Sequence, residues 1–474
     1  MVFSSISFLA YFLPSLLVTY YIVPARWRSL RNLVLFAFSV VFYAWGGLRY
    51  LALLSISVII NYIGGLFAGD QFSAGIRKTA TVAAVIANLA LLGWFKYAGF
   101  FAQAVNDLGL SIPVPEIVLP IGISFFTFQG LSYVLDVSRG NAKTQKNPLN
   151  VALYVILFPQ LVAGPIVRYT TVADEIVSRN ENLDDFTNGA VRFMLGLGKK
   201  MLLANSVAEI ADAVFAYNPN QLSVALAWLG AVAYTFQIYF DFSAYSDMAI
   251  GLGRMFGFHF LENFNYPYIS TSVTEFWRRW HISLSSFFRD YVYIPLGGNR
   301  CSSWKHIRNL AIVWLLTGLW HGAAWTFVFW GIWFGLLLLG EKYLWASLIA
   351  KAPKCISYLY TMLAVILSWV LFRSTTISGA FSYIGAMFNM GNHSLWCKDA
   401  IFYLHQHGFY LVLCCVGALP LKNMILAFLQ KHEDSKLCCL TLDWMPKVFA
   451  LFVLLLSYMK LATGSFNPFI YFQF

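Results

Sequence analysis

Residues 309–340 contain no Asp, Glu, Lys or Arg, an unbroken uncharged run of 32 residues bounded by Arg308 and Glu341. The hydrocarbon core of a bilayer is about 30 Å thick, and a helix rising 1.5 Å per residue crosses it in about 20 mainly apolar residues. A continuous helix over this run would extend about 48 Å, more than the core, so it must tilt, break or turn back. Ten further apolar segments recur along the chain, at 5–23, 33–48, 51–67, 79–95, 117–135, 151–167, 224–240, 356–372, 409–427 and 448–462. None shows the alternation of a barrel strand, so helices are the elements expected. The fold class predicted is all-α: a polytopic transmembrane bundle of about ten to twelve spans, with re-entrant and interfacial helices.

Composition agrees. Charged residues make up 11% of the chain, against about 25% in a soluble domain, and hydrophobic residues 59%. The first acidic residue is Asp70. A soluble fold of this size could not cover its surface with so little charge. The aromatic share of 18% suits the interfacial belts of a membrane protein. Lys and Arg exceed Asp and Glu by 11, which cytoplasmic loops facing lipid headgroups account for. No basic run interleaved with stacking aromatics points to nucleic acid.

Arg26, Arg28 and Arg31 follow the first segment, and Arg77 and Lys78 the third. By the positive-inside rule those loops face the cytoplasm and the N-terminus faces outward. Residues 1–23 lack the basic region and cleavage site of a signal peptide and read as a retained first span. The polar stretch 174–188 precedes an amphipathic segment, 192–215, that reads as interfacial with Lys199 and Lys200. Residues 432–443 read as a loop. With no repeat or linker to divide it, the chain is expected to be one domain over 1–474.

The seven cysteines (Cys301, Cys355, Cys397, Cys414, Cys415, Cys438 and Cys439) fit neither a disulfide framework nor a zinc pattern. His405 and His407 near Asp399 have the wrong spacing for two ligands on one helix face, so no metal is expected. His259, His306, His393 and His432 sit in or near expected loops and are assigned no role. Pro120, Pro159 and Pro165 interrupt apolar segments, as in broken helices around a cavity.

At membrane depth the informative residues are polar, and three places stand out. His321 is the one imidazole in the uncharged run, flanked by Gly318 and Gly322; a neutral buried imidazole can act as a general base or be a hydrogen-bonded core residue. Residues 271–298 open with a candidate capping box, Ser272 and Glu275. There Trp277, His281, Leu284 and Phe288 fall on one face of an expected amphipathic helix, and Arg278, Ser285 and Arg289 on another. Those arginines could reach phosphates or simply snorkel. Third, Gln237 and Asp241 are one turn apart, as are Ser243 and Asp247, either lining a cavity or pairing with cations.

With these residues the sequence resembles the membrane-bound O-acyltransferase superfamily, in its bacterial alginate O-acetyltransferase branch. The resemblance is carried by MVFSSISFL at the N-terminus, LPIGISFFTFQ from Leu119, FPQLVAGPIVRY from Phe158 and QIYFDFSAYSDMAIGLG from Gln237. It continues in FWRRWHISLSSFFRDYVYIPLGGNR from Phe276, GLWHGAAW from Gly318 and the terminal NPFIYFQF. Family members have a histidine deep in the membrane and an Asn, Asp or His about 40 residues upstream; His321 and His281 match, 40 residues apart. The chain departs from the branch at Ala244, where Gly is usual, and at Phe334, where a second histidine is frequent.

The resemblance implies a funnel through the bilayer, the inner membrane of a bacterium, with an acyl thioester such as acetyl-coenzyme A entering from the cytoplasm as substrate. No resident cofactor is implied. His321 would take the acceptor's proton or carry the acyl group, and His281 would orient the donor or polarise its carbonyl. Arg278, Arg279 and Arg289 would hold the donor's phosphates, and Gln237, Asp241 and Asp247 would contact substrate. An exported polysaccharide is the implied acceptor, with a secreted or periplasmic acetyltransferase as partner. The competing readings are a polysaccharide or lipid-linked sugar transporter without acyl chemistry, and a structural subunit that anchors a synthase.

Overall fold

The computed structural model describes residues 1–161, 164–421, 424–425 and 436–464. Its principal helices are α1 (Ser7–Ile22), α2 (Arg28–Ala44), α3 (Arg49–Phe67), α4 (Ala74–Asp107), α5 (Ile123–Ser138), α6 (Pro148–Ile156), α7 (Tyr169–Val177) and α8 (Leu183–Gly198). They continue as α9 (Asn205–Phe215), α10 (Val224–Met255), α11 (Val273–Arg279), α12 (Ile282–Phe288), α13 (Ser303–His321), α14 (Trp325–Tyr343), α15 (Lys354–Arg373), α16 (Ile377–Met387), α17 (Lys398–Gly417) and α18 (Lys436–Ala462). Every regular element among the described residues is helical. The protein is an all-α, multi-pass membrane protein.

Among the described residues, six helices are long and apolar enough to cross a membrane: α3, α4, α10, α15, α17 and α18 from Trp444 onward. Other apolar segments form shorter or broken helices, such as α1 and α16, within the all-α architecture expected. The segment at 117–135 becomes α5, starting only after Gly122 in a left-handed conformation (φ 76°). The segment at 151–167 stops as helix at Ile156, before Pro159. Residues 432–443, expected as a loop, are helical from Lys436. The terminal NPFIYFQF motif lies outside the described residues.

Burial separates lipid-facing helices from core helices. Only 17% of the apolar window of α17 and 22% of that of α18 is buried, against 72% for α10. Phe402, Phe409, Val412, Leu451 and Leu455 therefore point outward, which is stable where lipid is the solvent.

The helices group into two compact units, Met1–Phe193 with Tyr245–Leu261, and Met194–Ala244 with Glu262–Phe474. In the first, Glu181 is the hub. Its carboxylate accepts from Tyr20 and Arg28, and lies 3.1 Å from Arg31 and 3.5 Å from Arg179. Two arginines read from sequence as topology markers thus share one acid as ion-pair partner. Between α3 and α4, Asn61 and Asn88 exchange amide hydrogen bonds at 3.1 and 3.0 Å, satisfying both side chains away from water.

In the second unit the uncharged run does turn back. Helices α13 and α14 form an antiparallel hairpin in which Gly318 meets Phe327 and Gly331, and His306 meets Lys342 and Tyr343. A Cβ on Gly318 would sit 2.4 Å from the Phe327 carbonyl oxygen, and one on Gly331 2.4 Å from that of Trp314. Glycine is required at both positions because backbone faces backbone. Lys200, expected in an interfacial segment, is instead buried and paired with Asp241.

Candidate active site

The site is built where two helical paths break. The capping box at Ser272 holds: its hydroxyl accepts from the Glu275 N–H at 3.0 Å, while the Glu275 carboxylate reaches back to Thr271. From the far end of α14, Glu341 accepts from the Val273 and Thr274 N–H groups at 2.6 and 2.8 Å. These bonds satisfy the orphan donors at the start of α11 and tie that helix to the α13–α14 hairpin.

The continuous amphipathic helix expected through His281 does not form. Helix α11 ends at Arg279, Trp280 is extended, and His281 is left-handed (φ 45°) before α12 begins. A non-glycine residue in that region costs about 1–3 kcal/mol and persists only where surrounding contacts enforce it. Here they come from Asn263. Its backbone carbonyl accepts from Ile282 N–H at 3.0 Å and its side-chain Oδ1 from Ser283 N–H at 3.1 Å. Sequence spacing could not reveal this break, since the apolar period runs straight through it.

The kink turns the His281 ring inward, fully buried. Phe242 of α10 packs edge-on against it at 4.6 Å between centroids and Trp320 at 5.7 Å. His321 is the last residue of α13, before Gly322 leaves the helix. Its ring is held edge-on by Trp320 at 5.0 Å, Trp330 at 4.9 Å and Phe372 at 5.2 Å. The two imidazoles are 6.5 Å apart, centre to centre. Phe334, at the position of the second family histidine, is buried among Phe276, Trp277, Trp314 and Trp330.

The remaining site candidates separate by environment. Arg278 is exposed and has no ion-pair partner among the described residues. Arg279 pairs with Glu275 at 2.9 Å and Arg289, also exposed, with Asp290 at 2.6 Å. Asp241 pairs with Lys200 at 2.7 Å, both almost wholly buried, and Asp247 with Arg192 at 2.8 Å. Gln237 lies against the Asp212 carboxyl, which also binds Arg373 at 2.7 Å. Asn263, Ser283 and Glu341 were not singled out in the sequence. Glu341 carried a signal, as the acid that ends the uncharged run; Asn263 and Ser283 carried none.

The sequence matches the membrane-bound O-acyltransferase family over residues 3–382, a range that contains both histidines. It is 41% identical to a probable alginate O-acetylase of Azotobacter vinelandii, with all of both chains covered. It is 33% identical to a peptidoglycan O-acetyltransferase of Helicobacter pylori, covering all of this chain and 95% of that one. A teichoic acid D-alanyltransferase of Bacillus subtilis is 31% identical over 49% of this chain and 63% of its own. With its helical membrane architecture and a histidine pair at the motif positions, the protein is an O-acyltransferase and belongs to the membrane-bound O-acyltransferase family.

Proposed function

We propose that the protein moves an acetyl group from cytosolic acetyl-coenzyme A to a polysaccharide outside the inner membrane of a bacterium. Relatives named as acetylases of alginate and of peptidoglycan match over the whole chain, whereas the D-alanyltransferase covers half of it. That difference favours acetyl, and an exported glycan as acceptor.

The observation that carries the reading is the pair of histidines, 6.5 Å apart inside an aromatic shell at two helix breaks. His321 takes the acceptor's proton or carries the acetyl group in transit, and His281 holds the reacting groups beside it. In the carrier route an imidazole nitrogen attacks the thioester carbon, the C–S bond breaks, and the thiolate leaves. The acceptor oxygen then displaces the imidazole. Arg278 meets the donor's phosphates from the cytoplasmic side. Gln237, Asp241 and Asp247 belong to pairs that hold the scaffold, of which Asp241 with Lys200 is buried and Asp247 with Arg192 partly exposed, and they act on substrate only through it. A periplasmic partner completes delivery to the polymer, since no part of the chain reads as a carbohydrate-binding domain.

Inverted membrane vesicles supplied with radiolabelled acetyl-coenzyme A outside and polymer inside test this. Label should appear on luminal polymer with wild-type protein and not with His321→Ala. Equal labelling with both would remove His321 from the reaction.

A further inference from the structure

The hydrogen bonds at the His281 kink decide which nitrogen of that ring carries the proton. Asn263, Ser283 and His281 are all buried. The Ser283 backbone N–H, 3.1 Å from the Asn263 side chain, can only donate, so the amide atom facing it is the oxygen. The same oxygen is 2.8 Å from the Ser283 hydroxyl and 3.2 Å from His281 Nδ1. The hydroxyl is farther from Nδ1, at 3.4 Å, so its hydrogen goes to the amide oxygen. An amide oxygen carries no hydrogen and cannot donate to Nδ1. Nδ1 must therefore carry the hydrogen, and the lone pair of the neutral ring is at Nε2. Nε2 is buried with no hydrogen-bond partner among the described residues.

We propose that Asn263 is a positioning residue that fixes His281 as the Nδ1-protonated tautomer, so that Nε2 accepts a proton during acyl transfer. The proposal rests on the reading that His281 takes part in the transfer, and it changes the role expected from sequence. Polarising the thioester carbonyl would need a hydrogen on Nε2, and this tautomer has none. Instead, as the acceptor oxygen bonds to the acyl carbon, its O–H bond breaks and the proton goes to Nε2. His321 is then the acyl carrier: the thiolate has already left when this proton moves, the His321 imidazole is regenerated as the acceptor displaces it, and Nε2 releases the proton to solvent, where the thiolate takes up one proton to become the free thiol. Among the described residues, Phe242, Trp320, His321, Asn263 and Ser283 lie against the His281 ring, and of these His321 titrates.

The test compares Asn263→Leu, Asn263→Asp, Ser283→Ala and His281→Ala by acetyl transfer in membranes, over donor concentration and pH, at matched levels of folded protein. Asn263→Leu removes the acceptor and should lower kcat by at least about 100-fold with donor KM within about twofold. Asn263→Asp keeps an acceptor oxygen for the same donors. It should retain kcat within about tenfold, with the acidic limb of the pH profile moved to higher pH because a carboxylate stabilises the imidazolium. Ser283→Ala leaves the Nδ1 bond intact and should cost less than about fivefold. Wild-type kcat in Asn263→Leu, or Asn263→Asp as inactive as Asn263→Leu while both stay folded, overturns the tautomer assignment. So does Ser283→Ala as inactive as Asn263→Leu. If His281→Ala turns over normally, the participation of His281 fails, and this proposal with it.

Discussion

His281 and His321 meet edge to face, 6.5 Å between ring centres, although they belong to separate helical paths. Each sits where a helix stops: His281 in the left-handed residue between α11 and α12, His321 at the end of α13. A continuous helix at either place would carry its imidazole on a packed face. The breaks turn both rings into one aromatic chamber, which shields the proposed proton transfer from bulk water.

The chamber depends on close approach of α13 and α14. Gly318→Ala and Gly331→Ala each place a methyl group 2.4 Å from a backbone oxygen, and backbone cannot move aside as a side chain can. Each should destabilise the protein by about 1–3 kcal/mol and reduce transfer. Thermal melting in detergent measures the first effect. A variant melting like wild type contradicts the assigned packing.

Glu341 links that hairpin to the His281 path by accepting from Val273 and Thr274. Glu341→Ala leaves buried N–H groups without partners and should cost about 2–3 kcal/mol. Since α11 leads directly into His281, transfer should fall further than stability at a temperature where the variant is folded. Full activity in a folded Glu341→Ala protein would separate the cap from the site.

How much of this was legible in the sequence follows from the range of each interaction. His321 stood out because an imidazole in an uncharged run is costly in lipid, and the run's length required a tilt, a break or a turn, of which the hairpin is the last. The break at His281 was hidden: Trp277, His281, Leu284 and Phe288 keep helical spacing through it, and the enforcing residue, Asn263, lies 18 positions upstream. The two carboxylates of α10 were recognised as needing partners, but Lys200 and Arg192 arrive through tertiary packing.

Stability should depend on acid through Glu181. Burial alone would raise its carboxyl above the ordinary 4.5; hydrogen bonds from Arg28 and Tyr20 and the charges of Arg28 and Arg179 outweigh this and hold it at about 2. A depressed folded-state value means the contribution is complete above about pH 4.5 and is lost as pH falls towards 2. Its size is up to about 3 kcal/mol. Melting temperature should fall over that window in wild type, whereas Glu181→Gln should melt lower at pH 7 and show a flatter acid dependence. Parallel acid profiles would remove Glu181 as the hub.

Among the described residues, Arg278 is exposed without a carboxylate partner while Arg279 and Arg289 each have one. Arg278→Ala should raise the donor KM about tenfold with little change in kcat, and the effect should shrink at high salt. Arg289→Ala should change KM less. The reverse order would move the donor's phosphates towards α12.

The most direct test of acyl transfer through the histidine pair is the O-acetyl content of secreted polysaccharide. It is compared between cells carrying wild-type protein, His321→Ala or His281→Ala at matched membrane levels. The account predicts loss of O-acetyl groups in both variants, with His321→Ala at the level of cells lacking the protein. Wild-type acetylation in His321→Ala would contradict it.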